Sequence, residues 1–181
     1  MSSGSPEQRR HTISIRQPAR QAAPAGPATF HLLMHYRLAL PADIPALAEV
    51  RFAVRENVLR NRALVTEADY QEYLTQRGRG WVAETAGRVV GFAIVDAQQY
   101  SIWALFVHPD FDGQGIGKTL HRLMLNWYFA QTGHTIWLTT SPGTRAEEFY
   151  HRQGWQATGR TSSGEVRFEL TKERWNEKSG H

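Results

Sequence analysis

The stretch that decides the fold reads SIWALFVHPDFDGQGIGKTL and occupies residues 101–120. Residues 101–107 are nearly all apolar, which indicates a central β-strand buried on both faces of a sheet. His108-Pro109-Asp110 should end that strand, because proline cannot continue a sheet ladder. Three glycines then alternate at positions 113, 115 and 117, and we predict a helix from about Gly117 to Gln131.

A buried strand, a glycine-rich turn and a helix together favour the binding of an anion. Glycines let the main chain approach a phosphate closely, and the free N–H groups and the dipole of the helix start favour negative charge. Lys118 adds a positive charge at the same place. The loop therefore predicts a phosphate site, without saying which phosphate.

Two common nucleotide-binding loops do not fit this spacing. A P-loop needs glycine five residues before its last glycine, and Asp112 stands there. The apolar strand at 136–140 also ends without an aspartate that could hold magnesium. A dinucleotide loop needs Gly-x-Gly-x-x-Gly and a later acidic residue for the ribose, whereas the spacing here is Gly-x-Gly-x-Gly.

The segments around the loop alternate between strand and helix patterns. Asp43 and Thr66 are predicted helix caps, with Pro45 in the first turn of the earlier helix. The order βααβββαβαββ predicts a mixed α/β (α+β) domain with crossover helices around the middle of its sheet. We predict strands at 36–40, 80–85, 88–95, 101–107, 136–140, 155–160 and 165–171, and a helix at 144–153.

Composition narrows the class of protein. The chain has 181 residues, 41% of them hydrophobic, and no cysteine, so we expect one cytoplasmic domain without disulfides or thiolate metal sites. No apolar run reaches the roughly 20 residues of a membrane span. Of the net charge of +4, residues 1–33 supply three charges through four arginines and one glutamate. The nearly neutral remainder has no electrostatic footprint for nucleic acid.

The chain divides by composition into three parts. Residues 1–33 are rich in Ser, Pro, Ala, Gln and Arg, and we expect a disordered N-terminal extension there. A transit peptide is one alternative, and translation from Met34 is another. The folded domain is expected over residues 34–175, followed by a C-terminal tail at 176–181.

Two spaced motifs resemble those of the GNAT superfamily of N-acetyltransferases. Residues 106–117 read FVHPDFDGQGIG, similar to that family's hydrophobic-x-Pro followed by Arg/Gln-x-x-Gly-x-Gly/Ala. Residues 146–155 read AEEFYHRQGW, similar to its Ala-x-x-Phe/Leu-Tyr-x-x-x-Gly-Phe. The element order over about 35–172 agrees. The resemblance implies a mixed, mostly antiparallel central sheet, flanked by helices, with a splay between its two central strands.

The same resemblance implies acetyl-CoA as cosubstrate, bound in the splay, with no metal. Main-chain groups of the central strand would meet its pantetheine arm, and the loop N–H groups would hold its pyrophosphate. Thr144, Arg145 and Tyr150 would line the thiol end. The implied cofactor-binding residues are Leu105, Phe106, Val107, Asp112, Gly113, Gln114, Gly115, Ile116, Gly117, Lys118, Thr144 and Arg145.

Two positions depart from the family pattern. The first loop position is usually Arg or Gln, and Asp112 in its place should hold phosphate less well or repel it. The family often places Asn three residues before the Ala of the second motif, where this chain has Gly143. Both departures bear on the affinity for the cofactor.

Catalytic roles follow from the same comparison. Tyr150 matches the general acid that protonates the leaving thiolate. Ser101 stands where one branch of the family has its glutamate base, so we consider Glu84, Glu56 and His108 as bases, or direct attack by a neutral amine without any base. Acceptor-site candidates are Arg55, Glu56, Asn57 and Trp103, with Trp81 as a second aromatic residue.

The sequence thus predicts an acyl-CoA-dependent N-acyltransferase that acetylates a primary amine of a small molecule or peptide. The attack would be direct, in a ternary complex of a monomer or homodimer. A different acyl donor remains open. So does a catalytically degenerate GNAT domain that binds acyl-CoA as a sensor or interaction module. The acceptor itself is not encoded in any transferable motif.

Overall fold

A computed structural model describes residues 33–55 and 65–180. The N-terminal extension expected over 1–33 lies outside these residues except for Leu33, and so do Glu56 and Asn57. The strands are β1 (His35–Leu38), β2 (Gly78–Thr85), β3 (Arg88–Asp96), β4 (Ser101–Val107), β5 (Ile136–Thr140), β6 (Gln156–Arg160) and β7 (Val166–Leu170). The helices are α1 (Ile44–Ala53), α2 (Glu67–Glu72), α3 (Ile116–Gln131), α4 (Arg145–Arg152) and α5 (Lys172–Ser179).

The predicted elements are present, and the strand ends lie within two residues of their expected positions. The strands form one seven-stranded sheet in the order β1-β2-β3-β4-β5-β7-β6. Its neighbours pair antiparallel except for β4 and β5, which are parallel. The expected mixed, mostly antiparallel sheet with flanking helices is therefore confirmed.

The two central strands separate soon after they begin. Ser101 opposite Trp137 is the pair that β4 and β5 share, so from Ile102 onward β4 has no ladder on that side. A β-bulge at Trp103 accompanies the separation, since Ile94 pairs with Ala104 while Val95 pairs with Ile102. Bulges bend a strand and re-aim its side chains.

The expected burial of β4 on both faces is wrong in part. Ser101 and Ala104 are buried, but the other five residues of the strand are only partly buried. The strand is central in the sheet, yet its second half borders the opening left by β5. The apolar run of the sequence therefore marks both a core strand and the wall of a groove.

Two apolar cores lie on opposite faces of the sheet, and β3 contributes to both. Phe92 and Ile94 join Leu47 of α1 in one core. Ala93 and Val95 join α3 in the other, in the alternation that a strand imposes. Helices on both faces hold β4 in place, so the loop and the groove beside it stand on a rigid frame.

The predicted caps differ in outcome. Thr66 caps α2 as expected, because its side chain accepts a hydrogen bond from the N–H of Asp69. Asp43 precedes α1 but makes no capping bond. Its carboxylate instead accepts hydrogen bonds from Arg37, at 2.8 Å, and from the N–H of Leu40. The Asp43 carboxylate therefore pairs with Arg37 and does not cap α1.

Helix α5 is not predicted by the sequence patterns and overlaps the expected C-terminal tail. Thr171 caps it, and Trp175 is buried against α3, where its indole Nε1 donates to Asn126 Oδ1 at 3.1 Å. A single apolar residue gives no helical period, so only packing reveals this helix. Within residues 33–55 and 65–180, no helix is both long enough and apolar enough to span a bilayer.

Candidate active site

The glycine loop after β4 is built to present main-chain N–H groups. Gly113 and Gly115 have φ of +75° and +77°, a left-handed conformation that glycine adopts at little cost. Gly115 is the N-cap of α3, and no side chain caps that helix. The first-turn N–H groups therefore remain available to an anion.

A groove of about 630 Å³ runs from this loop along the open edge of β4 to α4. We call it the cofactor groove. Because β4 has no ladder with β5 after Ser101, main-chain groups on that edge face the groove. Ten of the proposed cofactor-binding residues line it, namely Leu105, Phe106, Val107, Asp112, Gly113, Gly115, Ile116, Gly117, Lys118 and Arg145.

Two expected cofactor-binding residues do not line this groove. Gln114 is exposed on the loop. Thr144 is the N-cap of α4, where its hydroxyl donates to Ser141 O at 2.8 Å and accepts from the N–H of Glu147. Both polar functions of Thr144 are therefore used within the chain.

Asp112 does not stand alone at the loop. Its carboxylate accepts a hydrogen bond from Arg145 Nη1 at 2.8 Å, and both side chains are well exposed. The ion pair connects the loop to the first residue of α4. Its positive partner offsets the charge that Asp112 brings to the predicted phosphate site.

Tyr150 lies where two grooves adjoin. A second groove of about 340 Å³, which we call the acceptor groove, shares with the cofactor groove four residues: Leu105, Phe106, Ala146 and Tyr150. Tyr150 is 7% exposed, and burial raises the pKa of its hydroxyl above the ordinary value. It is consequently a neutral phenol with a proton to donate at physiological pH.

The tyrosine ring is held by an aromatic cluster. His121, Trp155 and Phe168 surround Tyr150, with ring centroids 5.5 to 6.4 Å away. His121 is itself buried and accepts a hydrogen bond from Trp155 Nε1 at 2.9 Å. Burial lowers the pKa of His121 to about 3, with a smaller contribution from Lys178. The cluster fixes the direction in which the Tyr150 side chain points.

The proposed bases are placed differently from expectation. Glu84 forms an ion pair with Arg37 at 2.8 Å and lines neither groove. His108 also lines neither groove, and its Nδ1 accepts from the N–H of Asp110 at 3.2 Å. Neither is thus brought to Tyr150, and Glu56 lies outside the described residues.

A carboxylate that the sequence did not single out lies in the acceptor groove. Glu165, just before β7, lines it and accepts a hydrogen bond from Thr139 Oγ1 at 3.3 Å. Its position depends on β7 lying next to β5, which is not a sequential neighbour. Only the strand order could have revealed it.

The acceptor-site candidates divide between the two grooves. Trp103 lines the acceptor groove and stacks on Tyr73, with ring centroids 4.2 Å apart. Arg55 lines the cofactor groove instead. Trp81 is a core residue, 6% exposed. Asn57, like Glu56, is outside the described residues.

Arg51 lines the acceptor groove and was also missed by the sequence analysis. It follows Leu47 by four residues in α1, so it stands on the predicted apolar face of that helix. An arginine on such a face is the signal that could have found it.

Among the described residues, no cluster of three or more His, Cys, Asp or Glu could hold a metal ion.

Known proteins share this sequence pattern. The model of the acetyltransferase (GNAT) family matches residues 46–155. N-acetyltransferase family 8 member 2 of Rattus norvegicus is 32% identical over 99 residues, which cover 49% of this chain and 43% of that protein. The match therefore spans less than half the length of that relative.

Solved structures share the fold. The ribosomal-protein-alanine N-acetyltransferase of Brucella melitensis is 25% identical, with a TM-score of 0.62 over 76% of this chain and 99% of that one. A Salmonella typhimurium protein solved with its cofactor acetyl-CoA is 20% identical. Its TM-score is 0.63 over 76% of this chain and 93% of that one.

Proposed function

Because the chain belongs to the GNAT acetyltransferase family, we propose that it transfers an acetyl group from acetyl-CoA to a primary amine. The transfer occurs by direct attack within a ternary complex. One observation carries the proposal: two grooves adjoin at a buried neutral tyrosine, beside the open edge of β4. One groove suits a long phosphate-bearing cosubstrate, and the other suits an acceptor.

The volume of the cofactor groove and the hydrogen-bond donors along it support acetyl-CoA as the cosubstrate. The N–H groups of the uncapped α3 start bind the pyrophosphate, and Lys118 adds positive charge. The pantetheine amides pair with main-chain groups of Leu105 to Val107 in place of the missing β5 ladder. The bound thioester supplies the activated acetyl group.

The chain's own groups then handle charge and protons. A main-chain N–H near Phe106 or Val107 polarises the thioester carbonyl. The amine nitrogen forms a bond to the carbonyl carbon, the carbon–sulfur bond breaks, and Tyr150 donates its proton to the departing thiolate. The proton of the attacking amine passes through water to a base.

Glu165 is the base that we propose for that last proton, in place of Glu84. It presents a carboxylate to the acceptor groove, whereas the Glu84 carboxylate is bound to Arg37. An acceptor that binds as the neutral amine would need no base at all. The dependence of the transfer rate on pH then distinguishes base-assisted transfer from attack by an amine that is already neutral.

A second candidate function is an acyl-CoA sensor or interaction module without turnover. Ser101 at the usual base position and Asp112 at the loop favour it. The buried phenol of Tyr150 at the meeting of two grooves favours catalysis.

The deciding experiment measures thermal shift with acetyl-CoA, CoA, ATP and NAD, followed by thiol release against an amine panel. We expect stabilisation by both CoA ligands and thiol release with at least one amine. Stabilisation by ATP alone would contradict the cofactor. Binding of acetyl-CoA without turnover, unchanged in Tyr150→Phe, would favour the sensor.

A further inference from the structure

Arg51 is a partly buried cation for which the described residues provide no anionic partner. In the part of the chain that the structure describes, its buried Nε and Nη1 atoms have no well-formed hydrogen bond; the Tyr70 hydroxyl lies close enough to interact with the guanidinium but not in good hydrogen-bonding geometry. No carboxylate forms an ion pair with it within residues 33–55 and 65–180. Burial lowers the pKa of Arg51, partly opposed by Tyr70, yet a guanidinium stays charged in proteins.

Packing on aromatic rings does not by itself explain this state. The Arg51 guanidinium lies over Phe106 at 4.8 Å and over Trp103 at 5.5 Å. Such contacts stabilise a cation, but they leave the N–H groups of Nε and Nη1 without a hydrogen-bond acceptor. A structural role would ordinarily satisfy those edges as well.

The other arginines that lie over aromatic rings show the contrast. Arg77 lies over Tyr73 and pairs with Asp96. Arg167 lies over Trp137 and pairs with Glu169 at 3.0 Å. Arg79 lies over Trp127 but is exposed, so water satisfies it. Among the residues that the structure describes, Arg51 has no carboxylate partner, and its partial burial limits its access to water.

The position of Arg51 indicates which kind of group its guanidinium binds. It lines the acceptor groove, and Phe106 beneath it belongs to both grooves. An acceptor whose nitrogen reaches the junction at Tyr150 therefore has its neighbouring atoms close to Arg51. Trp103 is also stacked against Tyr73, which helps to fix the aromatic surface on which the guanidinium rests.

We propose that Arg51 binds a carboxylate of the acceptor, so that the acceptor is an amino acid or a similar amine with an acidic group a few bonds from its nitrogen. This inference rests on the proposed transfer reaction. A carboxylate matches a planar guanidinium in charge and in shape. Glu165, in the same groove, provides the complementary charge for the ammonium group. A polyamine would leave Arg51 without a partner and place two cations together.

The test uses the full chain and acceptors in matched forms: phenylalanine, phenylalanine amide and phenethylamine, and the same three forms of an aliphatic amino acid. Thiol release gives kcat and KM for each. We expect kcat/KM for the acids to exceed that for the amides by at least about tenfold, because a buried charged donor is left unpaired by the amide.

The variant Arg51→Gln should raise KM for the acids at least about tenfold, with the KM values of acetyl-CoA and of the amides nearly unchanged. Arg51→Lys should restore part of the preference, since it keeps the charge and loses the planar shape. Arg79→Gln is the matched control, another arginine over a tryptophan, and should keep the wild-type ratio of acid to amide. Melting temperatures confirm that each variant is folded.

Equal rates with acid and amide in the wild type, or an equal loss of both in Arg51→Gln, would overturn the inference. Should Arg51→Gln not fold, the carboxylate 3-phenylpropanoate provides a second measurement. It should inhibit the wild type competitively against the acid acceptor and not against acetyl-CoA, and inhibition independent of acceptor concentration would overturn the inference.

Failure of the proposed function has a different signature. No thiol release with any amine, or no stabilisation by CoA, would contradict acetyl transfer itself. Calorimetric titration of phenylalanine and its amide into CoA-saturated protein then still tests Arg51. Binding of the acid alone, lost in Arg51→Gln, supports the carboxylate site, and equal binding of both forms overturns it.

Discussion

The Asp112 carboxylate lies 2.8 Å from Arg145 Nη1, and this ion pair joins the glycine loop to the start of α4. It explains how an acid can stand at a position where related loops carry Arg or Gln. The charge of Asp112 is offset locally, so the loop N–H groups and Lys118 still face the cofactor groove with a favourable balance. Both side chains remain well exposed, so salt weakens the pair.

Replacing Asp112 by Asn should tighten acetyl-CoA binding about two- to fivefold, because one negative charge near the pyrophosphate is removed at a gain of roughly 0.5–1 kcal/mol. Calorimetry at low and high salt measures this, and the gain should shrink in high salt. Asp110→Asn is the matched control, since Asp110 is exposed and does not line the groove. Weaker binding in Asp112→Asn would mean that the ion pair is needed to order the loop.

Replacing Tyr150 by Phe should lower kcat by about 10²–10⁴-fold with little change in the KM of acetyl-CoA, because only the thiolate's proton donor is lost. Burial raises the pKa of Tyr150, so the phenol keeps its proton as pH rises through neutrality. The wild-type rate should therefore not fall with an alkaline limb below about pH 10.

Tyr128→Phe is the control for that change. The Tyr128 hydroxyl donates to His134 O at 3.2 Å, away from both grooves. This variant should lose about 1 kcal/mol of stability and keep its kcat. An undiminished kcat in Tyr150→Phe would remove the tyrosine from the mechanism.

Acid should destabilise the protein through His121. Its pKa is lowered to about 3 in the folded state by burial, whereas an unfolded histidine titrates near about 6.5. Between about pH 6.5 and about pH 3, His121 is therefore protonated in the unfolded chain but not in the folded one. The stability from this residue is complete above about pH 6.5 and is lost as pH falls. Between pH 7 and pH 5 the loss from this residue is about 2 kcal/mol.

Urea unfolding at the two pH values tests this prediction. His121→Gln keeps an acceptor for Trp155 Nε1 and removes the titrating group, so its loss between pH 7 and pH 5 should be about 2 kcal/mol smaller. His134→Gln, at an exposed histidine, should retain the wild-type dependence. An identical dependence in His121→Gln would show that other groups govern acid unfolding.

Replacing Glu165 by Gln should lower kcat/KM for the amine about 10²-fold at neutral pH, with recovery at alkaline pH where the amine is neutral without help. Glu84→Gln should instead cost up to about 1 kcal/mol of stability through its partly exposed ion pair with Arg37 and leave the rate unchanged. If wild type and Glu165→Gln have the same kcat/KM at every pH, the acceptor binds as a neutral amine and Glu165 is not the base.

The sequence by itself determined the family, the order of the elements and the glycine loop that we predict to bind phosphate. These features are local: an apolar strand, alternating glycines and a helical period lie within 31 consecutive residues, 101–131. The same is true of Tyr150, which sits in a contiguous motif. Local conformational preference and the hydrophobic period act over a few residues, so they can be read along the chain.

Only the tertiary structure decided which charged and polar side chains contact each other. Arg145 reaches Asp112 across 33 positions of sequence, and Thr139 reaches Glu165 across 26. Glu84 faces Arg37 rather than the groove, and Arg51 comes to rest over Phe106. These contacts depend on the strand order and on the bulge at Trp103, which set β7 beside β5 and open β4. Such long-range geometry follows from the packing of the whole sheet, and no short stretch of sequence encodes it.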